Sequence, residues 1–177
     1  MGNMLVGLGP VVNSMTRVVI LGSMPGGESL QRGEYYAHGR NRFWPVMEEL
    51  FGIPRGAPYG ARLRLLNEAG LGLWDVIASC DRRGSLDSDI VTSTEIYNDF
   101  NLLLSSHVGI SRMCANGGKA YDAFIKRIIP GLDPGLAARF DLVRLPSTSP
   151  ANAAFSLTDI VKAWSRALGD VVPHRNS

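Results

Sequence analysis

Apolar residues along the chain gather in short runs, and amphipathic stretches bounded by glycine and proline separate those runs. The runs at 17–21, 71–77, 111–115 and 140–145 have the length of strands. Between them the spacing turns helical. Phe43, Val46, Met47 and Leu50 share one face of a helix over 43–51. Pro45 suits its first turn, where a missing N–H costs nothing, and Gly52 stops it. Further helices are predicted over 61–69, closed by Gly70, over about 98–106 with Asn98 as N-cap, and over 119–129. The last starts at Ser156, where Asp159 completes a capping-box signal and Ile160, Val161, Trp164 and Leu168 form the apolar stripe. The stretches 22–42 and 79–93 read as long loops. Strands alternating with helices predict an α/β protein, a three-layer α/β/α sandwich around a mainly parallel sheet of about four strands. We expect one domain over 1–177, with an arm at 1–13 and a tail at 173–177.

Composition narrows the class without naming a chemistry. The 177 residues are 45 % hydrophobic and 19 % charged, ordinary values for a globular chain. No apolar run reaches the roughly 18 residues that span a bilayer, and 1–13 lacks the cationic start of a signal peptide. The cytoplasm is the expected location. Cys80 and Cys114 are expected to be buried free thiols. His38, His107 and His174 lack zinc-type spacing, so neither metal nor cofactor is expected. The net charge of +2 is compatible with a nucleic-acid partner. Arg40 and Arg42 flank Asn41, while Arg82 and Arg83 are read as solvated charge or as part of such a surface. Trp44, Trp74 and Trp164 are expected in the core.

In a parallel sheet the loops at 22–27, 116–118 and 146–150 emerge at one edge, where open α/β sheets place their ligands. Small residues and prolines there let backbone approach a ligand closely. The chemistry offered is an aromatic face, an amide and flanking cations, with no charged acid-base pair. That set suits a flat neutral base beside a polyanion. The turn Gly22-Ser23-Met24-Pro25-Gly26 has neither the Lys-Ser/Thr pair of a P-loop nor a G-x-G-x-x-G spacing. A serine-hydrolase reading of Ser23 or Ser147 lacks a G-x-S-x-G elbow.

Four segments together carry a family resemblance: Gly22-Ser23-Met24-Pro25-Gly26, Tyr36-Ala37-His38-Gly39-Arg40-Asn41-Arg42-Phe43-Trp44, Asn116-Gly117-Gly118-Lys119-Ala120, and Leu145-Pro146-Ser147-Thr148-Ser149-Pro150. In this order, over about 17–168, they resemble the uracil-DNA glycosylase superfamily, and within it the hypoxanthine-DNA (deoxyinosine) glycosylase branch. Mismatch-specific uracil/thymine glycosylases are the next relatives. The resemblance implies monofunctional hydrolysis of the N-glycosidic bond of a deaminated base, hypoxanthine or also uracil, after the nucleotide is flipped out of damaged DNA. It implies a monomer acting on double- or single-stranded DNA. Mismatch-type relatives carry a catalytic Asn at the place of Met24, so here the amide is expected from Asn41, which would aim a water. The resemblance makes Tyr36 the stacking platform, and Gly22, Ser23, Met24, Pro25, His38, Phe43 and Asn116 complete the expected base pocket. Arg40 and the loop Pro146, Ser147, Thr148, Ser149 and Pro150 are expected at the DNA. The family shows His-Pro-x-Asn where this chain has Gly39, which implies a looser Asn41.

Plainer readings stand beside these. Asn41 also suits an N-cap, Tyr36 ordinary packing, and His38 a loop-orienting hydrogen bond. Asn116 suits a left-handed turn, and Ser147 and Ser149 turn formation. The alternatives for the whole protein are a mismatch-type uracil/thymine glycosylase, a non-catalytic lesion-binding module on the same fold, and an unrelated Rossmann-like small-molecule enzyme, which the absent cofactor fingerprints disfavour.

Overall fold

The computed structural model describes residues 4–169. Its centre is a four-stranded parallel sheet of β2 (Val18–Gly22), β3 (Leu71–Asp75), β6 (Arg112–Asn116) and β7 (Asp141–Leu145), in the order β3-β2-β6-β7. Period-two alternation divides its side chains between two cores. Val18, Ile20, Leu71, Leu73, Cys114 and Leu145 meet helices α2 (Phe43–Phe51), α3 (Tyr59–Glu68) and α7 (Leu157–Leu168). Val19, Leu21, Trp74, Met113 and Ala115 meet α4 (Phe100–Ser106) and α5 (Gly118–Ala123). This is the expected three-layer sandwich. Trp44, Trp74 and Trp164 are buried, as are the free thiols of Cys80 and Cys114.

The apolar run 71–77 is two strands rather than one. The N–H groups of Val76 and Ile77 donate to the carbonyls of Gly22 and Ser23, which bends the chain at Val76. Ile77 then opens β4 (Ile77–Asp81), the middle strand of a small antiparallel sheet with β1 (Met4–Val6) and β5 (Ile96–Tyr97). The N-terminal arm therefore contributes a sheet strand at Met4–Val6, and the loop expected over 79–93 begins as one. A short helix, α1 (Gly27–Arg32), interrupts the loop expected over 22–42. Another, α6 (Pro134–Ala137), follows Pro130.

Capping separates two further expectations. At α7 the Ser156–Asp159 box forms as read. At α4 the cap is Asp99, whose carboxylate accepts from Leu102 N, while the Asn98 amide donates to Asp75 O. Asp outcompetes its neighbour because the Asn98 side chain is drawn to the end of β3. Arg82, read as solvated or DNA-facing, is buried, with Nη2 donating to Pro25 O at 2.7 Å. No helix among the described residues is long and apolar enough to cross a membrane. The tail expected at 173–177 lies outside the described residues.

Candidate active site

β2 has β3 on one side and β6 on the other, so the chain changes direction across the sheet there. All four parallel strands end in one cleft of about 1090 Å³, through Gly22, Asp75, Asn116 and Leu145. This is the place where open α/β sheets gather ligand sites. Gly22, Ser23, Met24 and Pro25 form one wall, Tyr36, His38, Arg40 and Asn41 a second, and 146–150 a third.

Asn41 is positioned by a turn. Its N–H donates to His38 O at 2.8 Å, and Arg40 N donates to His38 Nδ1 at 3.1 Å. The Asn41 Oδ1 accepts from Phe43 N at 2.9 Å, at the start of α2. This bond orients the amide of Asn41, which lines the cleft. Arg42, next in the chain, ties this turn to the opposite wall. Its backbone N–H donates to Thr148 O, and its guanidinium donates to the carbonyls of Ser149, Asn152 and Phe155.

Tyr36 has φ of 56°, the one left-handed non-glycine among the described residues. A bulky side chain there costs on the order of 1–3 kcal/mol and persists only where surroundings hold it. Phe43 stacks on the Tyr36 ring at 4.0 Å, and Asn116 Nδ2 donates to its hydroxyl at 3.2 Å. Burial, then the charge of Asp75, pushes the phenol pKa up, so it stays protonated.

Several residues occupy places other than those expected. Phe43, expected to line the pocket, is fully buried behind Tyr36 and packs against its ring. Thr148, expected at the DNA, is 0 % exposed: its Oγ1 accepts from Asn116 Nδ2 and its N–H donates to Asn116 Oδ1. Asn116 lines the cleft as expected, and its amide is bonded to the loop and to Tyr36. It does not take a left-handed turn; the positive φ falls on Gly117, at 102°. Met24 reaches the cleft wall but buries its side chain against Ile77, Cys80 and Ile90. Pro150 is exposed, and Ser147 and Ser149 are half-buried.

No charged acid-base pair was expected at the cleft, yet it holds carboxyl groups that the sequence reading did not place there. Asp75 and Asp87 both line the cleft, and Ser23 Oγ donates to Asp87 Oδ1 at 2.5 Å. Asp75 is 4 % exposed. Burial, then the negative charge of Asp87, pushes its pKa up to about 8, against the opposing pull of Arg82. A lone carboxylate within an apolar run was the available signal, but the facing Gly22 is visible only in the sheet register. Arg144, Asn152 and Phe155 also line the cleft, and sequence reading had passed over them. Among the described residues no cluster of three or more His, Cys, Asp or Glu has the arrangement of a metal site.

The model of the Uracil DNA glycosylase superfamily matches residues 10–168. A hypoxanthine DNA glycosylase of Methanosarcina acetivorans is 32 % identical over 151 residues, 85 % of this chain and 89 % of the relative. One from Methanosarcina barkeri is 33 % identical over 164 residues, 91 % of this chain and 96 % of the relative. A solution NMR structure from Methanosarcina acetivorans, provisionally named a uracil DNA glycosylase, superposes with a TM-score of 0.79 at 29 % identity, covering 96 % of this chain and 99 % of its own.

Proposed function

The chain belongs to the uracil DNA glycosylase superfamily, and we propose that it is a monofunctional DNA glycosylase that removes deaminated bases, hypoxanthine foremost, acting as a cytoplasmic monomer. The observation that carries this reading is the gathering of Asn41, Tyr36 and the 146–150 loop around one cleft. The target bond is unreachable in a stacked duplex, so the nucleotide is everted at a cost of a few kcal/mol. Stacking on Tyr36 returns about 1–3 kcal/mol, by analogy with other base–aromatic contacts.

Breaking the glycosidic bond builds positive charge on the sugar and negative charge on the base. Asn41 Oδ1 accepts a hydrogen bond from water and aims its oxygen at the anomeric carbon, a positional rather than a basic role. Backbone N–H groups of the 22–27 turn stabilise charge on the departing base. Met24 offers no amide at the cleft wall, which argues against mismatch-type chemistry.

Labelled duplexes bearing inosine, uracil, or thymine opposite guanine, treated with enzyme and then alkali, test the reading. Strand breaks at inosine are expected under single-turnover conditions. Asn41→Ala should slow them about 100-fold while duplex binding persists. Bound but uncut inosine DNA would instead make the protein a lesion-binding module.

A further inference from the structure

Asp75 closes β3 opposite Gly22. A Cβ built on Gly22 would lie 2.2 Å from Asp75 Oδ1 and 3.7 Å from the Tyr36 hydroxyl oxygen. Only a residue without a side chain leaves room for the carboxyl there, beside the polar edge of the Tyr36 ring. Asp75 thus lines the cleft at the hydroxyl end of the Tyr36 ring.

The carboxyl is poorly partnered by the protein. Its Oδ2 is buried with no hydrogen bond, a state that costs about 1–3 kcal/mol. Asn98 takes the Asp75 backbone carbonyl and not the side chain. Arg82 donates to Pro25 O, and the Tyr35 hydroxyl donates to the carbonyls of Leu8 and Gly9. Asp87 adds negative charge and Tyr36 is held by Asn116. These groups surround Asp75 without bonding its Oδ2.

We propose that Asp75 is a further catalytic residue: its carboxylic acid donates a hydrogen bond to an acceptor on the edge of the everted purine, N7, and passes it the proton as the glycosidic bond breaks. This rests on the glycosylase reading above. The electron pair of the C1′–N9 bond goes to the base, the Asp75 proton goes to N7, and hypoxanthine leaves neutral. Water adds to C1′, and the proton it releases goes to solvent, from which the Asp75 carboxylate is reprotonated. With its pKa pushed up to about 8, Asp75 holds the proton at neutral pH. A purine offers N7 as acceptor; a pyrimidine has no such atom.

Single-turnover rates on duplexes containing deoxyinosine, 7-deazadeoxyinosine or deoxyuridine, between pH 6 and 9.5, test the proposal. For the parent protein, cutting of deoxyinosine should fall as pH rises through about 8, and 7-deazadeoxyinosine should be cut at least about 100-fold more slowly. Asp75→Asn should lose at least about 100-fold on deoxyinosine, flatten the pH profile, and lose far less on 7-deazadeoxyinosine and deoxyuridine. Equal parent rates on deoxyinosine and its 7-deaza analogue overturn the proposal without any variant. So does an Asp75→Asn protein that loses the same factor on all three. A parent protein that cuts no duplex sinks the glycosylase reading as well, which separates the two failures.

Discussion

At Asp75 the fold gives up stability for an acid in the cleft. Between about pH 4 and pH 8 the folded protein retains a proton that the unfolded chain has released, because the pKa rises from 3.8 to about 8 on folding. Stability from the neutral carboxyl is complete below pH 4 and is lost as pH rises through 8. Asp75→Asn should therefore raise the melting temperature by roughly a few degrees at pH 8 and hardly at pH 4. Circular-dichroism melts at both values check this, and a lower melting temperature at pH 8 would contradict it. The sequence displayed Asp75 as an oddity in an apolar run; its facing glycine and its orphaned oxygen needed the sheet. Phe43 and Thr148 were misread for a related reason, since a motif marks which residues travel together but not which way they point. Gly39 is a milder case. It occupies the second position of the 38–41 turn, its φ is not left-handed, and a Cβ there meets nothing within 4 Å. Proline favours that position, so Gly39→Pro should stabilise by about 0.4–1 kcal/mol in urea unfolding.

Among elements, the parallel strands and long helices were legible because burial writes itself as periodicity, most plainly at α2 and in the capping box of α7. The second sheet was not, because β1 and β5 have only 3 and 2 residues and take their partners from β4, far away in sequence. The bend at Val76 likewise depends on carbonyls some fifty positions earlier. The 146–156 segment shows the same dependence with a functional consequence. Arg42 fastens three of its carbonyls, and Asn116 grips Thr148 from the other side. Arg42 is thus a strut for the loop rather than a phosphate contact. Arg42→Gln should speed amide exchange across 149–155 and cost about 1–3 kcal/mol. Unchanged exchange there would mean the loop holds itself.

For the whole molecule, charge limits how DNA is held. The net charge is only +2, and several cations are already paired: Arg32 with Glu28, Arg55 with Glu48, Arg62 with Glu34, Arg64 with Glu68, Arg112 with Asp141 and Lys119 with Glu95. The cleft lining holds two arginines, Arg40 and Arg144, both exposed, against the acids Glu28, Asp75 and Asp87. Neutralising two phosphates gives a slope of log affinity against log salt near about −2, at roughly −0.9 per contact. Affinity for an inosine duplex should therefore vary modestly with salt, and Arg40→Ala or Arg144→Ala should each shallow the slope by about 1. Fluorescence anisotropy from 50 to 300 mM salt (a range of about a factor of six) measures this directly. A slope near −5 would require phosphate contacts beyond the two cleft arginines. With a weak electrostatic grip, binding of the correct site depends on what the cleft does to an everted base, so Tyr36→Ala should cost more affinity than the loss of either arginine.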